Sequence, residues 1–123
     1  MSTEVMEGNA RIRSTMLGVE DHGVFTFMLD LDFGGSGQGA GGYVLDEYKK
    51  ELKRRVGCAE GMELIARVLW VVGVEKWEAL PGKYVRVRHD WSKVHAIGNV
   101  IEDKWLDFEE FWKNPFVTKE EMR

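Results

Sequence analysis

The histidines, acids and serines of this chain offer no arrangement suited to catalysis. His22, His89 and His95 and the single Cys58 do not have the spacing of metal ligands. No serine lies in a nucleophile elbow, and no Ser-His-Asp arrangement can be placed. Residues 20–22 put two acids beside an imidazole, but their glycine-bounded turn favours a solvated or capping role. The sequence therefore predicts a protein that is not an enzyme and needs neither a cofactor nor a metal.

Arginines beside aromatic rings are better suited to hold a ligand. Arg86 and Arg88 share one face of a predicted strand, and His89 and Trp91 follow them. A guanidinium can hold a phosphate while a planar ring stacks a base, so this pattern favours a nucleotide. Pairing of the two arginines with acids across the sheet is equally open.

A second basic cluster occupies residues 49–55, which are predicted to be helical. Such a run is usually a solvated face, and we favour that interpretation. The alternative is a phosphate-facing helix end, because Arg54 and Arg55 lie close to Gly57 and to the exposed amides of the next loop.

Six glycines lie between Gly34 and Gly42. This segment does not match a dinucleotide-binding fingerprint, because the next predicted helix begins too late and the surrounding elements favour an antiparallel sheet. A flexible connection remains open. A second interpretation also remains open: the backbone approaches a ligand or a second protomer closely, which glycine permits because it has no side chain.

Size and charge narrow the classes of protein. The chain has 123 residues and a formal net charge of −4, which fits one domain and argues against a general nucleic-acid or anionic-membrane binder. One cysteine excludes an intrachain disulfide and fits a reducing compartment. The first ten residues lack the apolar region of a signal peptide, and no apolar run approaches the ~20 residues of a membrane span. We therefore expect a cytoplasmic protein.

The elements that must position these residues follow from periodicity. Residues 9–17 and 24–33 are predicted strands, and residues 47–56 and 60–72 are predicted helices. Strands are expected again over 83–89 and 94–101, with an irregular point at Gly98 and Asn99. Residues 1–8 and about 117–123 are expected to be frayed. The order predicts a single α+β domain with an antiparallel sheet and two main helices.

The tail after residue 104 contains two tryptophans and three phenylalanines interleaved with acids. A short amphipathic helix is expected over residues 108–113. A domain of this size has limited core space for so many aromatic rings, and a surplus of them tends to mark an interface. The tail therefore predicts self-association.

Four strings of the sequence resemble a phage-encoded family. They are IRSTMLGVEDHGVFT, GGSGQGAGGYVLD, GMELI and AIGNVIEDKWLD, and they extend over most of the chain. Together they resemble the Thoeris anti-defence proteins of the first described type. The resemblance implies a sponge that binds cyclic ADP-ribose isomers made by TIR-domain immune enzymes, without degrading them, in the cytoplasm of the infected bacterium. It also implies dimers or hexamers, with the ligand between protomers.

The resemblance further implies which residues bind. Asn99, in the IGN string, is expected to hydrogen-bond a ribose or the adenine edge, and either His89 or Trp91 to stack the adenine. Some members of the family also bind cyclic di- or trinucleotides of the cGAS-like pathway (CBASS) at a separate site. The candidate phosphate partners are Arg11, Arg13, Arg86 and Arg88, and the candidates for the separate site are Arg54, Arg55, Gly57, Cys58 and Ala59.

Two other classes of function stay open. One is a protein–protein inhibitor of a bacterial immune complex, which would use the aromatic tail or the acidic surface. The other is a cyclic nucleotide hydrolase, which the lack of a catalytic arrangement disfavours.

Overall fold

The strict alternation of apolar residues from Phe25 onward forms an inner strand of an antiparallel sheet. The structure, a computed structural model, describes residues 4–20 and 22–122. In it β1 (Met6–Val19) pairs antiparallel with β2 (Phe25–Asp32), and the two strands contain the segments predicted as strands over residues 9–17 and most of 24–33. Because β1 already begins at Met6, the expected fraying of residues 6–8 is wrong. Residues 1–3 and 123 lie outside the described part, and Glu120–Met122 forms a short 3-10 turn.

The predicted fold class is confirmed: the protein is a single α+β domain with antiparallel sheets and one main helix. Six strands form the larger sheet in the order β3-β2-β1-β6-β7-β8, and β4 and β5 form a separate hairpin. The remaining strands are β3 (Gly37–Gly41), β4 (Asp46–Lys49), β5 (Arg54–Gly57), β6 (Tyr84–His89), β7 (Val94–Gly98) and β8 (Trp105–Asp107).

The helix predicted over residues 47–56 is wrong, because this segment forms the β4–β5 hairpin. Asp46 and Gly57 are directly paired, and the backbone N–H of Cys58 donates to the Leu45 carbonyl at 3.4 Å. A ten-residue helix would hold its ends about 15 Å apart. The two flanking residues meet instead, so the chain between them must turn back on itself. Lys53 makes that turn in the left-handed region, with φ of 55°.

The second predicted helix is confirmed as α1 (Ala59–Val72), which ends at Gly73 in the left-handed conformation with φ of 91°. The short helix predicted in the tail is confirmed as α2 (Phe108–Lys113). The Asp107 carboxylate accepts from the Glu110 N–H at 3.0 Å and caps its first turn. Both helices bury apolar side chains against one face of the sheet, so the fold has a single core. Its fully buried large side chains include Ile12, Phe27, Leu29, Leu31, Leu64, Val68, Leu80, Ile97, Leu106, Phe108 and Phe111.

The two faces of the sheet differ in chemistry, and strand register assigns residues to each. Directly opposed residues of antiparallel strands share a face. Asn9, Arg86 and Gly98 form one such row that ends at Trp105 on β8. This row lies on the side away from the core, which we call the outer face. The side packed against α1 and α2 is the inner face.

The sheet is strongly curled toward its inner face. Gln38 on edge strand β3 donates its side-chain N–H to the carbonyl of Asp90, directly after β6, at 3.0 Å. Three strand spacings separate β3 from β6, about 14 Å in a flat sheet. The hydrogen bond therefore requires that the end of the sheet bends until β3 approaches the β6–β7 turn.

The aromatic tail contributes to the core as well as to the surface. Phe108 and Phe111 are buried, whereas Phe116 is exposed and Trp112 is partly exposed. Part of the aromatic surplus is thus explained by core packing within one chain. Self-association stays a prediction.

Candidate functional site

A cleft of about 320 Å³ lies at the bent end of the sheet, where β6 ends and β3 begins. Its volume is at the lower end of the range of about 300–1,000 Å³ typical of small-molecule pockets. It brings together two rings that the sequence predicted and several residues that it did not. We call it the ring cleft; it is lined by Met6, Phe33, Ser36, Gly37, Gln38, His89, Asp90 and Trp91.

Planar rings dominate the ring cleft. The His89 imidazole stacks on Phe33, with ring centroids 4.6 Å apart and planes inclined by 20°. Trp91, on the turn after β6, is 71% exposed. A large indole exposed to this degree beside a stacked pair is unusual in a core-forming role and is well suited to cover a planar ligand.

Asp90 organises the turn that carries Trp91 through hydrogen bonds. The Asp90 carboxylate accepts from the N–H and the hydroxyl of Ser92, both at 2.7 Å, and from the Lys93 N–H at 3.0 Å. His95 Nε2 lies 2.7 Å from its other oxygen. The contact with His95, followed by those with Ser92 and Lys93, holds the pKa of Asp90 far below its usual range. A charged Asp90 therefore fixes where Trp91 is presented.

Arg86 and Arg88 do not face the ring cleft. They lie on the outer face, because successive residues of a strand point to opposite sides and His89 points inward. Both guanidinium groups stack on Trp105, with their carbon atoms 4.6 and 3.8 Å from the ring centroid. Arg86 also donates to the Asn99 and Glu102 carbonyls at 2.7 and 3.1 Å, whereas Arg88 makes only a 3.4 Å contact with Glu7 among the described residues. Arg86 is thus held within the fold, and Arg88 has free donors.

Arg11 and Arg13 are exposed on β1 and differ in the same way. Arg13 binds Asp30 through two nitrogens, at 3.0 and 3.2 Å, which raises the pKa of Arg13 and lowers that of Asp30. Arg11 has no side-chain partner within the described residues, and in register it lies between Asp32 and Tyr84. Arg11 is therefore the more available cation.

The structure gives Asn99 a role within the fold. Its side-chain N–H groups donate to the Val71 and Val72 carbonyls at 3.0 and 3.3 Å, at the end of α1. Its side-chain oxygen accepts from the N–H groups of Ile101 and Glu102 at 2.9 and 2.8 Å. Both donors and both lone pairs are thus occupied, and the residue is buried. We therefore omit Asn99 from the candidate site, and β7 ends before it rather than at residue 101.

The second predicted group lies on the β4–β5 hairpin and at the start of α1. Arg55 binds the Asp46 carboxylate across the hairpin at 2.9 Å, which raises the pKa of Arg55 and lowers that of Asp46. Arg54 is exposed, and its only side-chain hydrogen bond among the described residues is to the Arg55 carbonyl at 3.3 Å. Gly57 pairs with Asp46, Cys58 precedes the helix with its Sγ 3.3 Å from the Leu45 carbonyl, and Ala59 is the first residue of α1.

Apart from His89 and Trp91, the six lining residues of the ring cleft were not predicted as binding residues: Met6, Phe33, Ser36, Gly37, Gln38 and Asp90. Gln38 carried a usable signal, because it is the one long polar side chain within the glycine segment. That segment is an edge strand in its second half, and close contact with the neighbouring backbone requires glycine at position 41, whereas at position 39 only the flexible Met28 side chain lies close. A Cβ at Gly41 would lie 2.5 Å from the Phe27 carbonyl oxygen, and one at Gly39 would lie 2.9 Å from the Met28 sulfur.

Among residues 4–20 and 22–122, no group of three histidine, cysteine or acidic side chains could hold a metal ion. No helix of this part of the chain is long and apolar enough to cross a bilayer. Comparison with protein-family models, with curated proteins and with solved structures found no match. The family resemblance stays a prediction, and the ring cleft is the candidate binding site.

Proposed function

We propose that this protein is a non-enzymatic sponge that sequesters cyclic ADP-ribose isomers made by TIR-domain immune enzymes in an infected bacterium. The family resemblance suggests the ligand class, and one observation carries the proposal. The stacked pair of Phe33 and His89 faces a cleft beside an exposed Trp91, on a turn that Asp90 holds in place.

The adenine of such a ligand would enter the ring cleft. Stacking of a base on an aromatic side chain contributes about 1–3 kcal/mol and needs no particular base. Trp91 offers a free indole face for this contact, and His89 is already held by Phe33. Of the two predicted stacking residues, we therefore assign the larger contribution to Trp91.

The pyrophosphate of the ligand needs cations that the ring cleft lacks. No lysine or arginine is among its described lining residues. Arg11 is exposed and Arg88 is partly exposed, and both have free donors among the described residues, but they lie on the outer face. We therefore propose that the ligand binds between two protomers, with the ring cleft of one chain and arginines from the outer face of another.

Binding without turnover is the chemical core of this proposal. Asp90 is the acid of the ring cleft, and both of its oxygens are engaged in hydrogen bonds. It is thus poorly placed to activate water. If incubation with the protein converts a bound cyclic ADP-ribose isomer into linear ADP-ribose or AMP, the sponge proposal is wrong and a hydrolase replaces it.

The test is calorimetry against a panel of cyclic ADP-ribose isomers and cyclic di- and trinucleotides, followed by heat release and identification of the ligand. We expect tight binding of at least one cyclic ADP-ribose isomer, recovered unchanged. Trp91→Ala should weaken this binding by about 10-fold to 100-fold, whereas Tyr48→Ala, which removes an exposed ring on the β4–β5 hairpin, should not change it. Failure of every cyclic ADP-ribose isomer to bind would contradict the proposal.

A separate site for cyclic oligonucleotides on the β4–β5 hairpin is a second part of the proposal. Arg54 is the residue to test, because its guanidinium group is exposed and takes no part in an ion pair among the described residues. Arg54→Glu should weaken only the binding of cyclic di- or trinucleotides. Arg55→Glu would instead break the ion pair with Asp46, so it reports on the fold.

A further inference from the structure

We propose that Gln38 fixes the tautomer of His89, so that His89 Nε2 accepts a hydrogen bond from the ligand base in the ring cleft. The base selected is one that presents an N–H donor, such as the 6-amino group of adenine. The assignment of the ligand rests on the proposed function, whereas the assignment of the tautomer does not.

The orientation of the Gln38 amide follows from its contact with a backbone carbonyl. The Gln38 group 3.0 Å from the Asp90 carbonyl must be the NH₂ end, because a carbonyl oxygen can only accept. The carbonyl oxygen of the Gln38 side chain then points the other way. It lies 3.0 Å from His89 Nδ1.

The position of the proton on His89 follows in turn. The Gln38 oxygen is an acceptor, so His89 Nδ1 must carry the hydrogen and donate it. In a neutral imidazole one nitrogen donates and the other accepts. His89 Nε2 therefore has a free lone pair.

The lone pair of His89 Nε2 is also available. This nitrogen has no hydrogen-bond partner among the described residues and is not a buried unpaired atom. The imidazole lines the ring cleft, and its stacking on Phe33 keeps the ring plane fixed. The ring cleft thus presents one preorganised acceptor in an otherwise largely apolar wall.

A fixed acceptor discriminates between bases. Adenine has an amino group at position 6, whereas hypoxanthine has a carbonyl oxygen there. When the base keeps its position, two acceptors then face each other and both stay unpaired, because the N–H of hypoxanthine lies at position 1 instead; this weakens binding by about tenfold or more. We expect the adenine ligand to bind at least ten times more tightly than its hypoxanthine counterpart.

The first experiment needs no ligand. Nitrogen-15 NMR of the imidazole, at mildly basic pH, should show the Nδ1–H tautomer of His89 in the free wild-type protein. Gln38→Leu should abolish this preference, and Ser36→Ala, which changes the same cleft without touching His89, should retain it. Detection of the Nε2–H tautomer in the wild-type protein would overturn the proposal.

The second experiment measures binding of the tightest cyclic ADP-ribose isomer of the calorimetric panel and of its hypoxanthine counterpart. His89→Phe keeps a ring on Phe33 but removes the acceptor, so it should bind the adenine ligand about tenfold more weakly and lose the discrimination. Equal affinities of the two ligands for the wild-type protein would refute the selection of the base, while the sponge proposal would stand. If neither ligand binds, the sponge proposal fails, and NMR still decides the tautomer.

Discussion

Asn99 and Gln38 carry the same functional group at opposite ends of the sheet, and their surroundings differ. Asn99 lies at the junction of α1 with β7, about 17 Å along the strand from the turn that carries Trp91. There every donor and acceptor of the amide is used within the fold. Gln38 also uses both ends of its amide, but one of its partners, His89, still has a free nitrogen in a cleft.

The difference separates residues that hold the structure together from residues that can bind. A fully satisfied buried amide has nothing left to offer a ligand, and removing it leaves several backbone groups unpaired. A cleft of exposed or half-exposed rings has contacts to gain from a ligand and little folding free energy to lose. Substitutions at the junction should therefore lower stability, and substitutions in the ring cleft should lower affinity.

The largest effect on stability is expected for Asn99→Ala. It leaves two carbonyls of α1 and two N–H groups of the next loop without partners, so the free energy of unfolding should fall by about 3 kcal/mol. Urea denaturation measures this change. Asn9→Ala, an exposed asparagine on β1, is the matched control and should change stability by less than about 0.5 kcal/mol. A stable Asn99→Ala variant that has lost only ligand binding would reverse our assignment.

The second-largest effect on stability is expected for Gly98→Ala, at a position beside the junction of α1 with β7. A Cβ at this position would lie 2.7 Å from the Trp105 ring, which must then move away from Arg86 and Arg88. Unfolding free energy should fall by about 1–3 kcal/mol, and tryptophan fluorescence should shift. Gly8→Ala, where an added Cβ meets no atom within 4 Å, serves as the control. If the two variants are equally stable, the close contact with Trp105 is not required.

A smaller effect, dependent on pH, is expected for Asp90→Asn at the edge of the ring cleft. The hydrogen bonds from His95, Ser92 and Lys93 lower the pKa of Asp90 from its ordinary 3.8. A lowered pKa stabilises the fold above the ordinary value and ceases to do so as pH falls through the folded-state pKa. Thermal melts should show wild type several degrees more stable at neutral pH, and this advantage should shrink as the pH falls below about 4. Asp103→Asn, an exposed acid, should show no such convergence.

The smallest effect on stability is expected for Trp91→Ala, which changes binding the most. The indole is exposed, so the free energy of unfolding should stay within about 0.5 kcal/mol of wild type. Urea denaturation of the same preparation used for calorimetry makes the comparison direct. A loss of several kcal/mol would place Trp91 with the structural residues and remove the distinction between the two regions.

Much of the fold could be predicted from local pattern. Three segments have apolar residues at the spacing of a single type of element. The alternation that ends at Phe33 fits a strand. The spacing of Leu64, Val68 and Val71 fits a helix, and so does the amphipathic tail around Phe111. Such patterns predict elements well because residues close together in the chain determine which face of a strand or helix is buried. The hairpin at residues 46–57 was missed because Asp46 and Gly57 are typical of the two ends of a helix, and because the acid at Glu47 and the basic residues 53–55 suit its first and last turns. Only the meeting of its two ends excludes that helix.

The candidate site was predictable only in part. His89 and Trp91 were predicted from their types and position, and the structure places them on one cleft. Arg88 was predicted beside them, but the alternation of a strand turns it to the outer face. Asn99 was the strongest candidate by resemblance, yet its side-chain hydrogen bonds join the end of α1 to the loop after β7.

Sequence alone determined the class of fold, the main helix, the long strands and the presence of rings next to a turn. These depend on periodicity and on residue chemistry, which act within a few residues. Tertiary structure decided which rings meet, which arginines are free and what each amide binds. Such contacts join residues far apart in the chain, like Gln38 and Asp90, and exist only because the sheet is curled.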